Sequence, residues 1–400
     1  MKKQKTQEKD VYIESLSAKD YAYLTDEEKK LWRAVPKKHE RIPLFCKIMF
    51  CLAGVCLIIY VSAIFSEKFA DFFNFRISSF FRMILAKITG IFPFSLAEFI
   101  IISIIPATVV YIIFAIKQRS HTWKMVISAL SVPFAAVALI FSLFVMTFAT
   151  GYRTPTLDKK LGIEQTEITK SDLNQTTRYL INQLNTLSSE IEYGEDDLSK
   201  MPYSFEEMNK KLNTAYDAFC QKNDFITTFD SKLKPVMLSK GMSYMHTLGI
   251  YTFFTGETNI NIDFPDYSTP FTAAHEMAHQ RGIAREDEAN MMAFLVCMES
   301  EDPYILYSAY LNMYEYVAKA LRATDAKLFY EADKQLNVRV LREQIAYSEF
   351  FMQYYDSGAS KVSSAVNDTF LKIQGTEGEI SYDLVVRLTV AYLKNNNIIN

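Results

Sequence analysis

The sequence is poor in the residues that mark unstructured or fibrous chains. Its 400 residues include only 12 glycines and 11 prolines, whereas 50% are apolar and 14% are aromatic. This composition excludes collagen-like, linker-like and intrinsically disordered proteins. A chain of this length is expected to hold two or three structural units with a sizeable core.

Cysteine is also scarce. The 5 cysteines show no CxxC spacing and do not make an even set, which argues against a cysteine zinc site and against a disulfide scaffold. We expect small buried thiols. Cys220 and Cys297 fall in the same C-terminal block, so a bond between them stays open if that block lies outside the cytoplasm.

The C-terminal part of the chain lacks an excess of basic charge. The formal net charge of −3 divides into +3 for residues 1–43, +5 for residues 44–150 and −11 for residues 151–400. An acidic block of this size repels phosphate backbones, so nucleic acid is not expected as a partner. Residues 151–400 are instead expected to form an acidic, water-exposed domain.

Long apolar runs are present in the middle region. They predict three transmembrane helices, at about 44–65, 95–116 and 125–149, and the lipid bilayer as a partner. Between the first two, phenylalanines recur at helical spacing opposite polar residues. This pattern favours an amphipathic helix at about 69–88 on the membrane surface, with a short extra core helix as the alternative.

Basic residues indicate the orientation of these helices. They precede the first helix and fill the short loop between the second and the third, although further basic residues in the other loop weaken the asymmetry. The expected protein is therefore a multi-pass protein of the cell membrane. Residues 1–43 would be a cytoplasmic tail, residues 44–150 the membrane domain, and residues 151–400 an extracytoplasmic domain.

The outer domain contains the motif HExxH, formed by His275, Glu276 and His279. A capping Thr269 and Pro270 predict that this motif lies on a helix, which ends near Gly282. Residues four apart on a helix lie one above the other, so both imidazoles are able to bind one zinc ion, with Glu276 as the general base.

A catalytic zinc ion takes a third protein ligand. The metzincin pattern would place a histidine at position 285, but Arg285 cannot bind a cation. We expect the ligand to be Glu286, with Glu288 as the alternative. Asn290, one turn after Glu286, is expected to accept a hydrogen bond from the spare N–H of a ligand histidine.

The sequence resembles two known groups of proteins. HExxH followed by a glutamate in an ExxAN context looks like the gluzincin-type metallopeptidases, although Asn290 stands where Asp is commoner. Over most of its length the chain also resembles the bacterial membrane proteins of the domain of unknown function 3810 family. The segments that carry this second resemblance are 92–98, 151–155, 254–261, 274–282, 285–290, 366–372 and 381–382. It implies a zinc peptidase anchored by three helices and brings no known substrate.

The predicted fold class is mainly α. We expect a three-helix transmembrane anchor and a mostly helical, zincin-like α+β outer domain, with a small β-sheet before the active-site helix. A strand near 255–262 is expected to lie above the site and to pair with an extended peptide.

The predicted function is hydrolysis of a peptide or protein substrate by zinc-activated water, with one Zn²⁺ per chain and Glu276 accepting the proton. Tyr307, Tyr382, Arg281, Arg285 and His246 are candidate donors to the oxyanion. An alternative function is a non-catalytic membrane sensor or assembly factor that zinc merely organises.

Overall fold

The chain is mainly helical, which confirms the predicted class. The computed structural model describes residues 23–34, 42–117, 123–165, 167–355, 357–374 and 382–400, so most of the predicted tail 1–43 lies outside the described residues. The helices before the outer domain are α1 (Asp26–Ala34), α2 (Leu44–Phe65), α3 (Glu67–Phe72), π1 (Phe73–Ser78), α4 (Ser79–Thr89), α5 (Leu96–Lys117) and α6 (Trp123–Thr147).

The rest of the chain adds further helices around a small sheet. After a 3₁₀ turn (Ala149–Arg153), the helices are α7 (Leu157–Leu161), α8 (Lys170–Leu187), α9 (Phe205–Lys222), α10 (Ser239–Tyr244), α11 (Ser268–Gln280), α12 (Glu286–Met298), α13 (Pro303–Thr324), α14 (Ala326–Asp333), α15 (Val338–Met352), α16 (Gly358–Ile373) and α17 (Tyr382–Asn395). The strands are β1 (Leu233–Pro235), β2 (Gly249–Thr252) and β3 (Glu257–Ile260).

Three of the described helices are long and apolar enough to cross a membrane. They are Leu44–Phe65, Leu96–Ile113 and Val126–Thr147, with mean hydropathies of 2.6, 2.3 and 2.4. Protein buries only 11%, 11% and 22% of their most apolar windows. Apolar surface of this extent is stable in contact with lipid rather than water. The three predicted spans are thus confirmed by length and composition, and they fit a membrane protein.

The described residues form two compact units. The first comprises described residues within 1–57 and 102–142, and the second those within 58–101 and 143–400. The predicted membrane domain 44–150 is therefore divided. The C-terminal ends of α2 and α6, the first turns of α5 and all of residues 67–89 belong to the same unit as the predicted outer domain.

The predicted amphipathic helix is present as α3, π1 and α4, which follow one another over residues 67–89 and are called here the juxtamembrane helix. Several of its large apolar side chains are exposed, with Phe72 57% and Phe80 54% accessible, whereas Phe73 and Phe75 are buried. Its polar side chains Asn74, Ser78 and Arg82 are fully buried. The middle of the polar face therefore packs against protein rather than facing solvent, while part of the apolar face is left exposed.

The small sheet has strand order β1-β3-β2. β3 pairs with β1 in parallel and with β2 antiparallel, in the register Gly249 to Ile260. The strand that was expected near 255–262 is thus the central one, and β2 lies at the edge. The N–H of Asn261 donates to Leu248 O and the N–H of Val236 to Ile260 O. Because backbone groups alternate in direction, those of Gly249 and Tyr251 point to the free edge of β2.

The core of the second unit is built around α11, α12 and α13. α12 is buried from Asp287 to Cys297, and small residues such as Ala274 and Ala278 let α11 approach it closely. Cys220 and Cys297 are both free, so the open question of a bond between them is answered by two separate thiols.

Candidate metal centre

The two histidines of the HExxH motif lie on adjacent turns of α11. Their ring centroids are 4.6 Å apart and the rings are nearly perpendicular. α11 ends at Gln280, and two residues later Gly282 has a φ of +98°, a region that other residues rarely adopt. This tight turn brings the first residue of α12, Glu286, back towards α11.

Two imidazoles and one carboxylate converge at this turn. Glu286 Oε2 lies 3.2 Å from His275 Nε2 and 3.6 Å from His279 Nε2. The three candidate ligand atoms all lie within 4.8 Å of one another. Two nitrogens and one carboxylate oxygen make a donor set typical of a catalytic zinc site, which keeps one position open. The donor set that the sequence predicted is therefore brought together.

The outer nitrogens of both imidazoles have fixed acceptors. His275 Nδ1 lies 2.9 Å from Asn290 Oδ1, and His279 Nδ1 lies 2.7 Å from Ile283 O. Since a carbonyl oxygen only accepts, each Nδ1 carries a proton, and each Nε2 faces Glu286 and would present its lone pair to a bound ion. Asn290 has the position that the sequence predicted. Ile283 was missed, because a backbone carbonyl leaves no signature in the sequence.

Glu276 lies beside the cluster and is buried. The Tyr251 N–H on the free edge of β2 donates to its carboxylate. Its Oε2 has no hydrogen-bond partner within the described part of the chain. Burial raises the pKa of Glu276, and the neighbouring imidazoles His275 and His279 oppose this effect. A buried carboxylate with one oxygen held and the other unpaired is suited to exchange a proton.

Glu288 is directed away from the cluster. Its Oε1 accepts the N–H of Leu157 at 3.0 Å and a hydrogen bond from Arg285 Nη1 at 2.9 Å. Arg285 also donates to the carbonyls of Tyr152 and Thr154. Glu288 and Arg285 therefore tie the start of α12 to the segment that follows α6, and neither is brought to the ligand atoms.

The other candidate donors lie in different surroundings. Tyr307 is fully buried near Tyr193 and Glu343. Arg281 is buried with its guanidinium 3.9 Å above the Tyr216 ring. His246 Nε2 lies 3.1 Å from the carbonyl oxygen of Tyr354. The side chain of Tyr382 lies outside the described residues.

Aromatic side chains that the sequence did not single out surround His279. The Phe148 ring lies 5.7 Å from the His279 ring in an edge-on contact. Phe148 also packs on Tyr152 and Tyr251, with Leu371 of α16 in the same apolar cluster. Burial and the Glu286 carboxylate raise the pKa of Tyr152 well above its usual value. Tyr152 thus lies in the aromatic cluster next to the candidate ligand His279, and only its place in segment 151–155 pointed to it.

The juxtamembrane helix holds the turn between α11 and α12. Asn74 Nδ2 donates to Gly282 O at 2.9 Å, and Arg82 Nη2 donates to Arg281 O at 3.3 Å. Arg82 Nη1 reaches Thr147 O, the end of α6, at 2.8 Å. A Cβ on Gly282 would lie 2.4 Å from Arg82 Nη2, so this contact also requires glycine. Burial lowers the pKa of Arg82 to about 10, which leaves it charged at neutral pH.

Comparison with known proteins gives one family. The family model described as "Protein of unknown function (DUF3810)" matches residues 74–390. The match begins in the juxtamembrane helix and covers α11, α12 and α16. No curated protein and no solved structure matches the chain.

Proposed function

The chain belongs to the family described as "Protein of unknown function (DUF3810)", and we propose that it is a membrane-anchored zinc metallopeptidase. The observation that carries this proposal is the convergence of His275, His279 and Glu286 beside Glu276 Oε2, which is buried and unpaired within the described residues. A structural ion needs ligands only. Hydrolysis also requires a general base, and a neighbouring carboxylate that is held in place with one free oxygen meets this requirement.

His275, His279 and Glu286 would hold the ion. When bound, zinc supplies a Lewis acid that lowers the pKa of water and polarises a peptide carbonyl. Glu276 Oε2 takes a proton from the attacking water and passes it to the nitrogen of the leaving amine. The Tyr251 N–H keeps the other carboxylate oxygen in place during both transfers.

The free edge of β2 is the proposed binding surface for the peptide. The backbone groups of Gly249 and Tyr251 point outwards beside Glu276, which takes the Tyr251 N–H. An extended peptide would pair as an added strand with the remaining groups, the N–H and C=O of Gly249 and the C=O of Tyr251. Tyr152, whose ring packs on Phe148 next to His279, is the proposed donor to the oxyanion in place of Tyr307. We also propose the topology that the flanking basic residues predict, with residues 151–400 on the extracytoplasmic side of the cell membrane.

Zinc content and hydrolysis test this function separately. The full-length protein in lipid nanodiscs would be compared with Glu286→Gln, Glu288→Gln and Glu276→Gln. Glu288→Gln is the matched control, since it lies in the same helical turn and outside the cluster. Bound zinc would be measured by mass spectrometry, and hydrolysis on a degenerate peptide library.

We expect about one zinc ion per chain in the wild type, in Glu276→Gln and in Glu288→Gln, and loss of zinc in Glu286→Gln. Glu276→Gln is expected to abolish hydrolysis while it keeps zinc. A folded wild type without zinc would contradict the proposal. Zinc binding together with equal hydrolysis or an equal cellular phenotype in Glu276→Gln would favour the alternative, a zinc-organised sensor or assembly factor.

A further inference from the structure

The candidate centre lies directly at the end of the third membrane-spanning helix. α6 ends at Thr147, and the next residue, Phe148, packs its ring on the ligand His279. The guanidinium of Arg82 joins Thr147 O to Arg281 O, just beyond the end of α11. One aromatic ring and one guanidinium therefore connect the end of α6 with α11, the helix that carries two of the candidate ligands.

The strands β2 and β3 are hydrogen-bonded to residues at the end of α6 and at the start of α5. Thr147 Oγ1 donates to Phe253 O, in the turn that follows β2, at 3.1 Å. The N–H groups of Leu96 and Ala97, in the first turn of α5, donate to the Glu257 carboxylate at 3.0 and 2.8 Å. The positive end of the helix dipole suits this buried carboxylate. The proposed peptide-binding edge is thus placed by two of the candidate membrane helices.

α16 runs beside β2, and the region between these two elements, next to the candidate centre, is called here the cleft. Its N-terminal Ser357 donates to Tyr244 O, ahead of β2. Near its C-terminus the Phe370 ring lies 5.8 Å from the Phe144 ring of α6, and Leu371 is buried in the cluster with Phe148. α16 and β2 therefore run in the same direction, from the Tyr244 side to the end of α6.

The C-terminal end of α16 reaches below the ends of the membrane helices. The Tyr60 hydroxyl of α2 donates to Gln374 Oε1 at 3.1 Å, and Phe370 contacts Phe144. Tyr60 lies five residues before the end of α2. At about 1.5 Å per helical residue, this contact lies roughly 8 Å inside the end of the span. The 22 residues of α2 just cross a hydrocarbon core that is about 30 Å thick. Since the roughly 33 Å of helix exceeds this thickness by only about 3 Å, the end of α16 lies roughly 6 Å inside the hydrocarbon, just below its boundary with the headgroups.

Further exposed apolar side chains lie on the elements around the cleft. Those on β2 and α16 are Ile250 (47% exposed), Val362 (65%), Val366 (63%) and Ile373 (67%). Those on the juxtamembrane helix are Phe72, Phe80, Phe81 and Ile88. Apolar side chains next to membrane helices are stable in the headgroup layer, where interfacial helices bury their apolar faces.

We propose that the cleft takes polypeptides that are themselves anchored in the bilayer and binds them as an extended segment within about ten residues of the anchor. The estimate adds about four residues that pair with β2 to the two or three residues that cross the headgroup layer, which is about 5–8 Å thick, at about 3.3 Å per residue. This inference rests on the proposed peptidase function. One water is consumed as the peptide C–N bond breaks, leaving a carboxylate on one fragment and an amine on the other.

The depth of the cleft is measured without any substrate. Single tryptophans at Ile250, Val366 and Tyr330 would be placed in a full-length chain whose own Trp32 and Trp123 are changed to Phe. Tyr330 is 50% exposed on α14 and contacts Arg322, so it serves as the matched exposed control. In nanodiscs with brominated lipids, we expect at least twofold quenching at positions 250 and 366 relative to position 330. Equal quenching at all three would overturn the interfacial placement.

The substrate class is tested on the wild-type protein in liposomes. A degenerate peptide segment would be fused to a synthetic transmembrane helix through spacers of about 3, 15 and 30 residues, and also supplied free at equal total concentration. Products would be counted by mass spectrometry, with Glu276→Gln as the blank. We expect at least tenfold more cleavage with the shortest spacer.

The outcomes separate the two proposals. Equal cleavage of near, distant and free segments would overturn the inference about substrates and leave the peptidase function intact. No cleavage of any form above the Glu276→Gln blank would overturn the peptidase function, and the inference with it.

Discussion

Replacing Gly249 by alanine should displace Glu276, the proposed general base, without touching the candidate metal ligands. A Cβ at this position would lie 2.7 Å from Glu276 Cγ, 2.8 Å from Oε1 and 3.0 Å from Cδ. Ordinary contacts begin near 3.4 Å, so the carboxylate has to move by roughly 0.7 Å. Since a displacement of about 1 Å costs about 100-fold in rate, we expect a loss of about 30- to 100-fold in kcat/KM. Overpacking of this kind also costs about 1–3 kcal/mol in stability.

The assay pairs hydrolysis with zinc content and melting temperature for the full-length protein in nanodiscs. Gly241→Ala is the matched control, because a Cβ at Gly241 meets nothing within 4 Å. The Gly249→Ala variant should keep about one zinc ion per chain, while the control keeps both zinc and activity. Wild-type turnover in a zinc-loaded Gly249→Ala variant would refute the role given to Glu276. Loss of zinc in that variant would refute the separation between the base and the ligands.

Three further predictions concern groups that support the centre. Asn290→Ala removes the acceptor for the His275 N–H, and we expect zinc affinity to fall about 10- to 100-fold in a chelator competition; unchanged affinity would contradict this role. Arg82→Met leaves buried carbonyl oxygens without donors and should lower the free energy of unfolding by about 3 kcal/mol or more, which thermal unfolding in nanodiscs would measure; an unchanged melting temperature would count against the contact. Burial raises the pKa of Glu315 to about 7, opposed by the hydrogen bond from Tyr267, while its ordinary value is 4.5. Glu315 therefore ionises at lower pH in the unfolded chain than in the folded one, and the stability of the wild type falls as pH rises from about 4.5 to 7. The free energy of unfolding of Glu315→Gln, relative to that of the wild type, should be about 2 kcal/mol higher at pH 8 than at pH 4.5. A difference between the two proteins that does not change with pH would contradict the raised pKa.

The candidate ligands could be predicted because each follows from helical geometry over a short stretch of chain. The spacing of His275 and His279 by four residues places both on one face of α11. The choice between Glu286 and Glu288 also has a local reason. Successive helical residues turn by about 100°, so Glu288 lies about 200° from Glu286, while Asn290 returns to the face of Glu286. Glu288 consequently meets Leu157 on the opposite side.

The hydrogen bonds that hold the candidate centre in place could not be predicted, because they join distant parts of the chain. Asn74 donates to Gly282 across 208 positions, and Arg82 donates to Arg281 across 199. An amphipathic pattern shows that the two faces of a helix differ, but it does not identify the neighbour of either face. The position of β2 at the sheet edge has a similar cause. Strand order depends on β1, whose three residues give almost no periodic signal.

The juxtamembrane helix contacts both a candidate membrane helix and the turn beside the candidate metal centre. An interfacial helix of a peripheral protein turns its apolar face to lipid and its polar face to water. Here the polar face instead supplies donors to the carbonyls at the end of α11, which a helix terminus leaves unpaired. Arg82 also binds the last carbonyl of α6, so the negative ends of two helix dipoles share one buried cation. The HExxH helix is thereby fixed to a membrane-spanning helix through charge rather than through apolar packing alone. Residues 151–400 without this helix would leave the carbonyls of Arg281 and Gly282 without these donors, so the centre belongs to the membrane-anchored chain as a whole.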